Sequence, residues 1–531
     1  MSDPLPADLA AVFADIDAWR AFLDPYAPHN LGRPLATAAP GDLPSLLRAS
    51  LTAPFGAPAG VAAGLWAQPA PLAVRTALAL WLVALPEHGL TAAHAARALD
   101  HAIVLCREAP ELPFDLFVAF ADQLRLALFR ASYAAVDLLP AASAAGDFVA
   151  AGAQRFFPAH RAPPPARPTA PRARIGYVSR HFRRHAVGQC VANRIVCRDR
   201  ARFEVTTFML GFERDDVTRL IERHSDEHVA VSAEDVGAAA RAIAARRLDL
   251  LLFADAGMDL PSYVLAGLRL APRQAVLMGH AATTGLPTLS HYIGGDHEAP
   301  GADAHYRERL VRLPRLGAAQ LPPVEPARPP TRGELGLPDD AVVLVSTAHG
   351  IKHPPERDAL LVDILRSAPA AHIALKPYFA ADRVDRRFGD RLGGAARAAG
   401  VADRLHILPP LARAADVLGL LAVSDVLLDT YPFGGWTTSL EALWAGLPIV
   451  TQEGVLGRSR WGAALLRALA IDDGIAADER GYVAEAVRFA ADAALRTRVR
   501  ARIAAGARAA FFDGPAAQPA YEAALLDLLA R

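Results

Sequence analysis

The 531-residue sequence predicts an all-helical N-terminal domain followed by two tandem α/β domains with parallel sheets. Three observations carry that expectation. Two proline-rich stretches, HRAPPPARPTAPRAR (160–174) and LPPVEPARPP (321–330), divide the chain, because such runs stay extended and cannot continue a helix or a central strand. Ahead of the first, Ala- and Leu-rich segments place apolar residues at helical spacing without strand alternation. Behind it, short apolar runs alternate with helical patterns, which implies parallel sheets covered on both faces.

The expected divisions are 1–160 for the helical domain, 172–325 and 333–512 for the α/β domains, and 513–531 for a C-terminal helix. Helices are predicted at 46–51, 73–85, 92–106 and 113–135, and no 34-residue repeat is evident. The first α/β domain reads as strands at 174–178, 203–210 and 248–253, with helices near 215–223 and 234–247. The second reads as strands at 342–347, 372–376, 404–408, 425–429 and 448–451. The segment 520–529 reads as a helix that packs back across an earlier domain. Tandem domains of this kind hold a ligand between the carboxyl ends of their strands.

Composition narrows the function. An apolar fraction of 53% excludes disorder for most of the length. Lys+Arg and Asp+Glu balance at 56 each, so no field attracts nucleic acid or an anionic membrane. Three cysteines are too few for a disulfide framework or a zinc knuckle. The start, MSDPLPADLAAVFADID, is acidic and lacks the apolar core of an export signal, and the longest apolar run, 77–85, is about half a membrane span. A cytoplasmic protein is expected. Fifty-four of the basic residues are arginine and only two, Lys352 and Lys376, are lysine. The arginine excess reads as genome composition, which makes the two exceptions stand out.

The densest signal is DVLLDTYPFGGWTTSLEALWAGLPIVT (425–451). A buried strand ends at Asp429, a turn through Phe433, Gly434 and Gly435 follows, and a helix opens at Thr437 and Thr438. Free N–H groups at that start suit a diphosphate, and Glu441 one turn on suits a ribose diol. N-capping threonines and a surface glutamate are the plainer reading, but capping alone needs no Gly-Gly approach. Retaining two-domain transferases carry a second glutamate eight positions before the EALWAGLPIV-like segment. Phe433 stands there instead, which points to inversion by direct displacement. Neither α/β domain contains an Asp-x-Asp metal motif, and Asp15-x-Asp17 falls in the helical region. No metal or other cofactor is expected, so Lys352 in STAHGIKHPP (346–355), at a strand's carboxyl end, is the candidate to offset the leaving diphosphate's charge.

In GYVSRHFRRHAVGQ (176–189), His181 and His185 stand four apart without a third zinc ligand. A histidine here suits either a general base for the acceptor or a cap on the next helix. RLAPRQAVLMGHAATTG (269–285) places His280, Thr283 and Thr284 in a turn that either lines the acceptor side or is only tight.

In combination these motifs resemble glycosyltransferase family 41, which includes O-GlcNAc transferases, SPINDLY-type catalytic regions and the bacterial adhesin N-glycosyltransferases. The resemblance spans about 172–510 and runs through RIGYVSRHFRRH, the 256–285 stretch, YRERLVRLP (306–314), HGIKHPP and LDTYPFGGWTTSLEALWAGLP, in the family's order. It implies two Rossmann-like domains in the GT-B arrangement, an active-site histidine at His185 and a phosphate lysine at Lys352. It also implies a UDP-sugar donor bound by His349, Lys352, Gly434, Gly435, Thr437, Thr438 and Glu441. The expected activity is inverting, metal-independent transfer of a hexose or N-acetylhexosamine to a protein side chain, Asn or Ser/Thr, with an adhesin or flagellar protein as acceptor. The alternatives are transfer to a lipid, glycan or small molecule, and a silent UDP-sugar-binding scaffold. Trp436 replaces a histidine of the O-GlcNAc enzymes, Glu441 an aspartate, and no tetratricopeptide array precedes the domains.

Overall fold

In a computed structural model of the chain, the described residues are 62–67, 72–86, 89–167, 170–376, 383–411 and 413–530. The helix expected at 46–51 and the Asp15-x-Asp17 pair lie outside them. Helices Leu72–Leu82, Ala92–Glu108, Phe114–Ala131 and Leu139–Phe156 build the N-terminal region. Thr91 caps the second by accepting from the His94 N–H, and Ala95, Ala98, Leu99, Ala102 and Leu105 bury one face at helical spacing. The fourth helix was not expected, since its Ala/Gly-rich sequence offers little contrast between faces. Packing supplies what the pattern lacks. Gly146 sits so close to the turn at Gly285 that a Cβ there would lie 2.0 Å from the Gly285 carbonyl. The helices and one face of the first sheet (Val178, Phe208, Leu251, Phe253) form a single core.

The first sheet contains β1 (Ala173–Ser179), β2 (Phe203–Leu210), β3 (Glu227–Val231), β4 (Leu250–Phe253), β5 (Arg273–Leu277), β6 (His291–Gly295) and β7 (Arg309–Leu313). Their order is β3-β2-β1-β4-β5-β6-β7, parallel throughout. The second contains β8 (Val342–Ser346), β9 (Ala371–Leu375), β10 (Leu405–Ile407), β11 (Val426–Leu428), β12 (Ile449–Gln452) and β13 (Ile475–Ala476). Their order, β10-β9-β8-β11-β12-β13, repeats that of the first and is also parallel. Both sheets are therefore doubly wound, and each reverses its winding once, between β1 and β4 and between β8 and β11. Crevices at the carboxyl ends of such paired strands are where α/β folds bind ligands.

Strands made of continuous apolar runs, such as LLLF in β4 and VVLVS in β8, are the ones predicted. Those given no range are β3, β5, β6, β7 and β13, which carry charged or glycine residues or are only two residues long. The helix Ala493–Phe511 packs Leu495, Val499, Ile503 and Phe511 into the second core. The chain then crosses back. At Gly514 a Cβ would lie 2.9 Å from both Asn193 Cγ and Cys197 Sγ, so only glycine permits the approach. Helix Gly514–Ala530 then packs Tyr521, Leu525 and Leu528 with Ile175, Tyr177 and Leu252, and the Tyr177 and Tyr521 hydroxyls are 3.0 Å apart. Among the described residues no helix is long and apolar enough to cross a membrane.

Candidate active site

The second sheet's switch point is organised by Asp429, just past β11. One of its carboxylate oxygens accepts from the N–H groups of Gly435 (2.8 Å) and Thr430 (2.9 Å), and the other accepts from the Thr451 hydroxyl at 2.9 Å. These bonds fold 430–435 back over the strand end. A Cβ on Gly435 would lie 2.0 Å from Thr438 Oγ1, so a larger residue there would displace the threonine hydroxyl at the start of the next helix. Helix Thr437–Trp444 follows with no side chain capping its start. Its first N–H groups therefore have no side-chain acceptor, and the buried Trp436 Nε1, Thr437 Oγ1 and Ser439 Oγ atoms have no hydrogen-bond partner. Unsatisfied donors gathered at a helix N-terminus are what an anionic ligand would satisfy.

Lys352 enters the same place from the loop after β8. Its ammonium donates to the Gly434 carbonyl at 3.0 Å and lies 4.4 Å above the centroid of the Phe433 ring. Burial pushes its pKa down to about 8, opposed by the Asp429 carboxylate. Phe433, at the position where retaining enzymes would have an acid, is thus the platform that fixes this cation. Glu441 lies one turn into the helix, and burial raises its carboxyl to about 7, with Lys376 acting the other way. His349 accepts from the Ile351 N–H at 3.0 Å through Nδ1 and shapes the lysine loop.

The first sheet's switch point carries the histidines. His185 is the N-cap of helix Ala186–Val196, where its Nδ1 accepts from the Val187 N–H at 3.3 Å. Burial, aided by His181 and Arg183, lowers its pKa to about 3. His181 stacks on it with ring centroids 4.3 Å apart and bonds through Nδ1 to Asp255 Oδ2 at 2.5 Å. Thr283 and Thr284 depart from expectation. Both hydroxyls donate to the buried Glu308, whose carboxylate also accepts from the Thr284 N–H, so they build the turn and do not present hydroxyls to an acceptor. His280 is buried and stacked on Phe129 at 5.6 Å, neither ring nitrogen has a partner, and burial lowers its pKa to about 4.

The helical region reaches the second switch point through aromatic contacts. The Tyr133 and Phe433 rings lie 4.6 Å apart, tilted by 32°, and Phe433 and Trp436 both set edges against Trp461. A groove of about 830 Å³ opens beside Arg184, between the 324–330 linker and Leu411, Arg413 and Asp416. Asp429, Asp255 and the His181 contact were not legible as site features. The aspartates' only sequence signal is their place one or two residues beyond apolar strands.

Two doubly wound domains joined by a returning C-terminal helix, with an anion cradle at the second switch point, define the GT-B class of glycosyltransferase folds. Residues 328–514 match the model of glycosyl transferase family 41, in accord with the motifs. Over 237 residues the chain is 29% identical to a Solanum lycopersicum protein described as "Probable UDP-N-acetylglucosamine--peptide N-acetylglucosaminyltransferase SPINDLY", covering 44% of this chain and 25% of the relative. Over 288 residues it is 26% identical to the Arabidopsis thaliana protein described in the same words but as SEC, covering 53% and 29%. The chain thus spans under a third of the length of these curated relatives. The solved structure of a lysine-to-methionine variant of a Thermobaculum terrenum O-GlcNAc transferase aligns with a TM-score of 0.64 at 25% identity, covering 92% of this chain and 97% of that one.

Proposed function

We propose that the protein transfers a sugar, N-acetylglucosamine foremost, from a UDP-sugar to a protein side-chain hydroxyl, with inversion and without a metal ion. One observation carries the donor half: the uncapped helix start at Thr437, with unsatisfied Trp436, Thr437 and Ser439 donors, follows directly on the Gly434 carbonyl that the Lys352 ammonium holds. Backbone N–H groups and one lysine supply there the charge stabilisation that a divalent ion supplies elsewhere. The relatives' printed activities support the donor and the peptide acceptor. Phe433 in place of a second carboxylate supports a single displacement over a covalent double one.

In this reading Thr437 and Thr438 hold the diphosphate, Gly434 and Gly435 let it approach, Glu441 accepts from the ribose diol, and Lys352 offsets the leaving charge. His349 shapes the lysine loop, and His280 lies on the acceptor side. Adhesins and flagellar proteins are the acceptors to screen first, and the cytoplasm is the proposed compartment. Incubation of candidate proteins with labelled UDP-N-acetylglucosamine, followed by mass spectrometry, is expected to show a hexosamine adduct on serine or threonine. Tight UDP binding with no adduct on any protein would leave a silent scaffold or a small-molecule transferase instead.

A further inference from the structure

We infer that His181, held by Asp255, takes the acceptor's proton, and that His185 beside it serves as a positioning donor. The inference rests on the proposed transfer activity and settles a different matter, which of two stacked imidazoles is the base. The deciding feature is where each ring holds its proton. His185 Nδ1 accepts from the Val187 N–H, so in the neutral ring the proton sits on Nε2, which can only donate. His181 Nδ1 faces the Asp255 carboxylate at 2.5 Å, so its proton points there and Nε2 keeps a lone pair.

A closed ring of hydrogen bonds fixes that arrangement. The backbone N–H of His181 donates to Ser179 Oγ at 2.8 Å, and the Ser179 hydroxyl donates to Asp255 Oδ2 at 2.8 Å, the oxygen that also meets His181 Nδ1. Asp255 has no exposed side-chain surface, whereas His181 keeps 14% of its own, so the dyad opens outward only through the histidine. Ser179 ends β1 and Asp255 follows β4, so the pair straddles the first sheet's switch point just as Lys352 and Gly434 straddle the second. Asp259, the second acid nearby, has one carboxylate oxygen within 4.8 Å of a ring nitrogen of His181 and an oxygen of Asp255. It is occupied in capping helix Leu260–Ala266 through the Ser262 N–H (2.9 Å) and hydroxyl (2.9 Å). The charged and titratable groups facing His181 are therefore Asp255 and Asp259 from the loop after β4, and His185 from its own loop.

The step balances without a further reagent. The acceptor oxygen bonds to the anomeric carbon as its proton passes to His181 Nε2. The anomeric carbon–oxygen bond to the diphosphate breaks, and its electron pair leaves on UDP beside Lys352. The dyad follows the general arrangement in which a buried carboxylate fixes the tautomer of a catalytic imidazole.

The test compares wild type with H181Q, D255N and H185Q, each assayed for UDP binding by calorimetry and for transfer from UDP-N-acetylglucosamine across pH. The expected result is UDP affinity within about two-fold for H181Q and D255N, transfer reduced by about 10²- to 10⁴-fold, and loss of the acid limb of kcat/KM. H185Q is expected to lose less and to keep the limb. D255N is isosteric and leaves the histidine in place, so it decides the matter even if H181Q folds poorly. Retention of at least a third of wild-type transfer by H181Q or D255N, or loss of the limb in H185Q alone, overturns the assignment. Failure of the wild type to bind UDP defeats instead the function on which the assignment rests.

Discussion

Replacing Lys352 with alanine lowers transfer by at least about 10²- to 10³-fold, the cost of removing a single donor aimed at developing charge. The protein stays folded. The pKa of Lys352 lies near 8 in the fold against 10.5 when unperturbed, so the charged ammonium is the form that burial disfavours. Its removal relieves that burial but strips the buried Asp429 of its countercharge and the Gly434 carbonyl of a donor, so the change in stability is expected to be small beside the loss of activity, and that separation marks a functional residue. Lys352→Arg does not restore turnover, because a planar fork cannot replace a compact ammonium held between a carbonyl and a ring face. The same residue sets a pH window for donor binding. UDP affinity rises as Glu441 ionises through about 7 and falls as Lys352 loses its proton through about 8. Isothermal titration of UDP across pH checks both limbs, and the alkaline limb is absent in Lys352→Ala.

Replacing Asp429 with alanine acts in the opposite way, on the fold before the chemistry. Its carboxylate is the acceptor for the Gly435 and Thr430 N–H groups and the Thr451 hydroxyl. Truncation strands these donors inside the domain and leaves Lys352 without its countercharge. A loss of roughly 3 kcal/mol or more is expected, since each unsatisfied buried donor costs about 1–3 kcal/mol. Denaturant unfolding read from the second domain measures it. Asp429→Asn, which keeps an acceptor oxygen, is expected to lose less. Equal and small losses in the two variants would show that the 430–435 turn holds its shape without that acid.

The contrast between these residues shows what the sequence made legible. Lys352 was conspicuous because lysine is scarce and because it follows an apolar strand, and the Gly434–Gly435 and Thr437–Thr438 pattern carries its geometry in four letters. Asp429 was visible only as the last letter of a strand, since its role depends on N–H groups that turn back towards it from Gly435 and Thr430. The histidines show the same divide. Spacing placed His181 and His185 on one loop, but the tautomer of each is set by partners, Val187 and the distant Asp255, that no local pattern reveals. Thr283 and Thr284 had the look of acceptor-side hydroxyls until Glu308, from beyond the turn, occupied them. Continuous apolar strands were predicted almost to the residue. The shorter strands interrupted by charged or glycine residues and the Ala-rich helix at 139–156 were given no range, because their formation depends on what they pack against.

The proposed transfer requires a diphosphate site in the second domain that works without a divalent ion. Calorimetric titration of UDP into the protein, run once in chelator and once in magnesium, tests this most directly. One mole of UDP per mole of protein, bound with the same affinity in both buffers and weakened in Lys352→Ala, is the predicted result. No binding, or binding that disappears with the chelator, would contradict it.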